Sequence, residues 1–117
     1  LATLKCNSNQ IDQLFAETFS HCSNLVDIDL SENQISCLPR GLFSGCSAAM
    51  QRLDLHSNRL SELPDGLLFL CSQLQELKLN GNCLKLLPEG LFDHVTRITK
   101  LDLSGNEISG SISPGKF

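Results

Sequence analysis

Aromatic anchors are scarce in this sequence, which contains no tryptophan, no tyrosine and a single methionine. Because the energetic hot spots of protein interfaces are enriched in tryptophan, tyrosine and arginine, a binding surface on this chain has few strong anchors. No run of apolar residues is long enough to cross a bilayer, so we expect no insertion into a membrane. The sequence also has neither a phosphate-binding glycine loop nor a Walker-type lysine, which argues against nucleotide binding.

Positive charge is in short supply as well, with 9 lysines and arginines against 13 aspartates and glutamates. Nucleic-acid binding depends on lysine and arginine at the phosphate backbone, so we expect no nucleic-acid partner. Histidine occurs only as His21, His56 and His94. A nucleophile pair of Cys83 and His56 can be imagined, but it lacks a helix N-terminus, a set of oxyanion donors and a pocket. We therefore predict no enzymatic activity and no cofactor.

An internal repeat dominates the sequence. Asparagine recurs in steps of 24, 25, 24 and 24 residues, and each copy sits in the frame L-x-x-L-x-L-x-x-N-x-L with a few apolar replacements. A second motif, L-P-x-G-L-F, follows in three copies, of which the second ends in Leu68, and residues 14–19 form a weaker version with Phe15 in the proline position. The repeated asparagines are Asn9, Asn33, Asn58, Asn82 and Asn106.

This pattern resembles the leucine-rich repeat. Its 24-residue length and the L-P-x-G-L-F motif resemble the typical subclass found in Toll-like receptors and variable lymphocyte receptors. The last copy, residues 106–114, is similar to the plant-type repeat N-x-L-S-G-x-I-P, with Ser113 in the place of the proline. The resemblance covers essentially all 117 residues and implies an α/β-type solenoid. The expected shape is a horseshoe arc with a concave parallel β-sheet and a convex side of loops and short helical turns.

We assign one leucine-rich repeat domain to residues 1–117, made of repeats 1–24, 25–49, 50–73, 74–97 and an incomplete 98–117. Because both ends of the sequence fall inside the repeat frame and solenoid ends normally carry capping repeats, we expect a fragment of a longer protein. In each repeat the two apolar residues of the L-x-L strand should point into the core. The leucine and the phenylalanine of the return path should do so too, with Leu68 in the place of phenylalanine in the third repeat. The repeated asparagine should pair with the backbone of neighbouring turns.

The six cysteines follow the repeat. Cys22, Cys46 and Cys71 share one repeat position and Cys6 replaces a core leucine, so these four are predicted to be small core residues. The other two, Cys37 and Cys83, are predicted to be exposed. A disulfide ladder or a metal site is the alternative interpretation, but no C-x-x-C pair occurs. The lack of an N-x-S/T sequon and of cysteine-rich caps favours a reducing, intracellular compartment, and an extracellular receptor ectodomain stays open.

Three columns of side chains should cross the concave face of the sheet, because alternate strand residues point away from the core. In the first column, charges alternate in sign along the sheet, which predicts a ladder of cross-strand ion pairs. In the second, Asp29 and Asp54 are neighbours of like sign, which predicts an acidic patch. The candidate partner-binding residues on this face are Asp27, Asp29, Arg52, Asp54, His56, Glu76, Lys78, Asn80, Lys100 and Asp102.

The family resemblance favours a protein–protein interaction module that binds a protein or peptide, with a basic segment of the partner on the acidic patch. We expect no metal ligand. The alternative is a structural spacer that sets length and curvature in a larger receptor or scaffold protein, whose activity lies elsewhere.

Overall fold

Five short parallel strands form a single sheet in the computed structural model, which describes residues 2–108. The sheet order follows the chain order, so each strand pairs with the strands before and after it. The strands are β1 (Ala2–Lys5), β2 (Leu25–Asp29), β3 (Arg52–Asp54), β4 (Glu76–Lys78) and β5 (Lys100–Asp102). The expected solenoid with a parallel sheet is confirmed.

The register of the sheet matches the repeat position by position. Ile28 lies opposite Leu53, Leu53 opposite Leu77, and Leu77 opposite Leu101. The sequence repeat therefore maps onto the structure as one coil per copy, and equivalent side chains stack along the solenoid.

The core lies between the sheet and the return segments. The frame residues Ile28, Leu53 and Leu77 are buried, as the strand pattern predicts. On the return side, the rings of Phe19 and Phe43 stack with their centroids 5.7 Å apart. Core residues of the outer coils are only partly buried, among them Leu4, Leu14, Leu87, Leu101 and Leu103.

The convex side contains turns instead of the short helical turns that we expected, since no helix occurs within residues 2–108. Its backbone hydrogen bonds mostly span three residues, as in Thr18 N–H to Phe15 C=O and Ser44 N–H to Gly41 C=O. Proline and glycine recur at the start of the segment, and Gly41 has a φ of 72°, which a right-handed helix cannot accommodate. The same left-handed glycine recurs in the next two coils at Gly66 and Gly90.

The repeated asparagine lines the inside of the turn after each strand. Asn58 is buried, and its Nδ2 donates to the carbonyls of Leu30 and Leu55 at 3.0 Å each. Its Oδ1 accepts the backbone N–H of Ile35 in the preceding coil at 3.1 Å. One amide therefore satisfies backbone groups of two coils, as predicted.

Two of the predicted core cysteines are less buried than we expected. Cys46 and Cys71 lie in the core, whereas Cys6 and Cys22 are only partly buried. Both partly buried cysteines belong to the first coil, which has a described neighbour on one side only. Cys37 and Cys83 are exposed, as predicted.

Burial determines the chemistry of the two core thiols. It raises the pKa of Cys46 from 9.0 to about 11 and that of Cys71 from 9.0 to about 12. Both thiols therefore stay protonated and unreactive at neutral pH, because the thiolate is the nucleophilic form.

Residues 109–117, which include the plant-like motif around Ser113, lie outside the described residues. The proposed division into repeats 1–24, 25–49, 50–73, 74–97 and an incomplete 98–117 stays a prediction. Among residues 2–108, the structure has no helix with the length and apolar character that a bilayer crossing requires.

Candidate functional site: the sheet face

The outer side of the parallel sheet, which we call the sheet face, carries the candidate residues. In β3 and β4 the central leucine is buried and the residues on both sides are half-buried, as the alternation of a strand requires. The register sets these side chains in three columns across the sheet. The columns are Thr3, Asp27, Arg52, Glu76 and Lys100; Lys5, Asp29, Asp54, Lys78 and Asp102; and Asn7, Ser31, His56, Asn80 and Ser104.

The first column forms a broken ladder of ion pairs. Arg52 Nε donates to Asp27 Oδ2 at 3.0 Å, the shortest lysine or arginine contact on the face. Glu76 lies opposite Arg52 in the register but is approached by Lys78 at 3.9 Å and Lys100 at 3.8 Å. The positive charge of Arg52 is thus directed toward Asp27, and the continuous alternating ladder that we expected does not form.

The second column places Asp29 and Asp54 directly opposite each other on neighbouring strands. Within residues 2–108, neither carboxylate has a lysine or arginine nitrogen within 4.0 Å. Like charges in directly opposite positions destabilise a sheet. This pair therefore requires other donors, and the turn after each strand supplies them.

In three of the five strands, the aspartate at the end of the strand accepts hydrogen bonds from the residue two positions later. We call this arrangement the carboxylate turn. Asp29 Oδ1 accepts the backbone N–H of Ser31 at 3.0 Å and its hydroxyl at 2.6 Å. Asp102 accepts the same two donors from Ser104 at 3.0 and 2.6 Å, and these bonds lower the pKa of Asp102. We did not anticipate this turn from the sequence, although the recurring triplets Asp-Leu-Ser and Asp-Leu-His carry its signal.

Histidine takes the place of serine in the turn that follows β3. Asp54 Oδ1 accepts the backbone N–H of His56 at 3.0 Å and lies 2.5 Å from His56 Nδ1. The other ring nitrogen, Nε2, lies 3.9 Å from Glu32 Oε1 in the preceding coil. His56 therefore sits between two carboxylates of different coils. Glu32 was not among our candidates, because it follows the third column at the edge of the face.

The coil of β4 lacks the carboxylate turn, since Lys78 stands where β2, β3 and β5 have aspartate. Its third-column residue is Asn80, and the buried Oδ1 of Asn80 has no hydrogen-bond partner among the described residues. Lys78 also separates Asp54 from Asp102 in the second column. The acidic part of the sheet face is therefore confined to the coils of β2 and β3.

The alternative sites have less support from the geometry. Within residues 2–108, no group of three or more histidine, cysteine or acidic residues is arranged to hold a metal ion. His21 and His94 are exposed on the return side, far along the coil from His56. A cavity of about 340 Å³ lies on the return side between two coils, with Cys37, Arg40 and Glu62 in its wall. None of the candidate residues of the sheet face lines it.

Comparison with known proteins assigns the family. The profile of the leucine rich repeat matches residues 1–49 and 48–108. The chain belongs to the leucine-rich repeat family. The family resemblance predicted from the sequence is therefore confirmed, and the fold is one typical of protein–protein interaction and typically not enzymatic.

Two solved structures show how this leucine-rich repeat chain relates to larger members. The leucine-rich repeat domain of APL1B is 25% identical and superposes with a TM-score of 0.89 over 93% of this chain and 32% of that chain. An internalin (inlF) from Listeria monocytogenes is 28% identical, with a TM-score of 0.73 over 94% of this chain and 30% of that chain. The chain thus spans about a third of either structure. Among curated proteins, none matches it significantly.

Proposed function

We propose that the chain is a protein–protein interaction module and that the sheet face binds a protein or peptide partner through a basic segment. The observation that carries this proposal is the pair Asp29 and Asp54, which lie opposite each other without a lysine or arginine counter-ion among the described residues. A lysine or arginine side chain of a partner placed between them supplies the missing positive charge.

The surroundings of this pair favour a cation. Asp27 and Glu32 belong to the same coil as Asp29 and add negative charge on either side of it. The nearest cation in the first column, Arg52, is engaged by Asp27. Since each aspartate uses Oδ1 in its own turn, the second oxygen of each remains available to a donor from outside.

The scarcity of aromatic side chains limits the affinity that the sheet face can reach. Phenylalanine is absent from the sheet face, and the chain has no tyrosine or tryptophan. The attraction is then largely electrostatic, and exposed charge pairs contribute about 0.2–1 kcal/mol each. We expect a moderate affinity that weakens as salt screens the charges.

The test is affinity capture with the full-length protein, comparing the wild type with an Asp29→Asn/Asp54→Asn variant. Asparagine removes both charges but keeps an oxygen that can accept the turn hydrogen bonds, so the fold is retained. We expect the basic partner to be lost or strongly reduced in this variant. The matched control is Glu62→Gln/Asp65→Asn, which removes the same charge from two exposed residues of the return side.

An unchanged set of partners in the Asn variant would rule out this acidic pair as the binding site. It would then favour the spacer role, in which the coils only set the length and curvature of a larger protein. Circular dichroism of both variants verifies that the solenoid is intact. Loss of the partner in both variants would indicate a general charge effect and would rule out the sheet face as the specific binding site.

A further inference from the structure

The carboxylate turn occurs three times within residues 2–108, and in one copy its donor can change charge. Ser31 and Ser104 donate through hydroxyl groups, which stay neutral at all ordinary pH values. His56 donates through an imidazole, the side chain whose protonation normally changes between about pH 5 and 8. The two serine turns therefore show the same hydrogen-bond arrangement with a donor whose charge does not change, and the histidine turn can be compared with them.

The geometry around His56 gives the two protonation states different contacts. In a neutral imidazole one ring nitrogen donates and the other accepts. With Nδ1–H donated to Asp54, the lone pair of Nε2 faces Glu32 Oε1 at 3.9 Å, which is an unfavourable pairing of two acceptors. Protonation places a hydrogen on Nε2 and turns the same approach into an attraction.

The position of Glu32 allows its side chain to respond to protonation of His56. Its carboxylate is held on the other side by the hydroxyl of Ser8, which donates to Oε2 at 3.3 Å, and its backbone N–H donates to the carbonyl of His56 at 2.9 Å. The Glu32 side chain is 56% exposed and that of His56 is 26% exposed. A modest rotation of Glu32 is therefore free to close the gap to the imidazole.

The other charged groups near His56 come from both neighbouring coils. The coil of β2 contributes Asp29 besides Glu32, and the coil of β4 contributes Lys78, with neutral Asn80 directly beside His56. Asp102, one coil further, also feels the charge of His56. Carboxylates outnumber the single lysine among these groups.

We propose that protonation of His56 is a switch on the sheet face. In its protonated form His56 draws Glu32 toward itself and so bridges the coils of β2 and β3 between Glu32 and Asp54. The added positive charge cancels part of the acidic patch and weakens binding of a basic segment. This regulation rests on the proposed function, whereas the local change at Glu32 does not.

The first test measures the local change. The carboxyl-carbon NMR signal of Glu32 is followed against pH in the full chain and in a His56→Ser variant, which rebuilds the turn found at Ser31 and Ser104. We expect an inflection of the Glu32 signal between about pH 5 and 8 in the wild type and none in the variant. A Glu32 signal that is flat over this range in the wild type overturns the switch.

The second test measures binding with a fluorescently labelled oligolysine peptide as the probe. We expect the wild type to bind it about two- to fivefold more weakly at about pH 5.5 than at about pH 8, the effect of roughly one surface charge. In His56→Ser the affinity should be the same at both pH values. An equal pH dependence in wild type and variant overturns the switch.

The two tests separate the two proposals. A Glu32 inflection that requires His56, together with no binding of the peptide at either pH, supports the switch and counts against the proposed function. Binding of the peptide that is lost in Asp29→Asn/Asp54→Asn but independent of pH supports the proposed function and overturns the switch.

Discussion

At the scale of single residues, the repeated asparagine connects the coils most directly. The amide of Asn58 bonds to backbone groups of its own coil and of the coil before it. Asn33 and Asn82 do the same in their coils. Asn9 occupies the same repeat position but is exposed, and its amide bonds only to carbonyls of its own coil.

Replacement of Asn58 by alanine should therefore destabilise the protein far more than the same change at Asn9. The change leaves the buried N–H of Ile35 without its acceptor, at a cost of about 1–3 kcal/mol. It also removes one of the two amide donors from each of the carbonyls of Leu30 and Leu55. The measurement is the free energy of unfolding from urea denaturation of the wild type, Asn58→Ala and Asn9→Ala. Equal losses in the two variants would contradict the role of the shared amide.

Single-residue detail is also where the sequence was least informative about the site. Alternation along the strands was enough to place Asp29, Asp54 and His56 on one face, because strand periodicity decides which side chains point outward. It could not show that Arg52 would pair with Asp27 and leave Glu76 to the lysines. That choice depends on side-chain rotamers and on the local turns, which the repeat frame does not specify.

At the scale of elements, the return segments set how closely the coils approach. Gly45 lies where a Cβ atom would stand 2.7 Å from the carbonyl oxygen of Phe19 and 2.8 Å from the backbone of Ser20. These are backbone atoms of the preceding coil, so they have little freedom to move aside. The tight contact keeps the convex sides of the first two coils together.

Gly45→Ala should separate these two return segments and destabilise the protein by about 1–3 kcal/mol, the usual cost of overpacking. The measurement is the shift in the midpoint of thermal unfolding, with Ala48→Ser as the control because Ala48 is exposed on the same segment. A Gly45→Ala variant as stable as the control would mean that the coils can separate without cost.

The form of the return segments explains why our expectation of helical turns was wrong. The apolar spacing of these segments is compatible with a helix, but proline and a left-handed glycine recur at their start. Gly41 and Gly66, with φ of 72° and 74°, interrupt the right-handed path in successive coils. The parallel sheet was easier to anticipate, because five copies of one frame each specify a strand at the same repeat position.

At the scale of the whole molecule, stability is shared among neighbouring coils, as in other solenoids. Each strand contacts only the strands next to it along the chain. Leu53 in β3 is packed from both sides and is 1% exposed, whereas the equivalent Leu101 in β5 is only partly buried.

Leu53→Ala should therefore cost about 2–5 kcal/mol, the range for a fully buried leucine, and Leu101→Ala clearly less. The measurement is chemical denaturation of both variants, and hydrogen exchange then shows whether the loss at Leu101 stays within the last coils. A larger loss at Leu101 than at Leu53 would contradict the picture of a core that is most tightly packed at its middle.

Because each strand pairs only with its neighbours along the chain, the structure determines how the protein responds to a pulling force. When the two ends of the chain are pulled apart, tension reaches the outermost coils first, and within residues 2–108 no contact between non-adjacent strands shares it. Coils should then peel away one at a time from the ends, each releasing roughly 80 Å of extended chain. The protein would therefore lengthen in a series of small steps under a pulling force and would shorten by the same steps when the force is released.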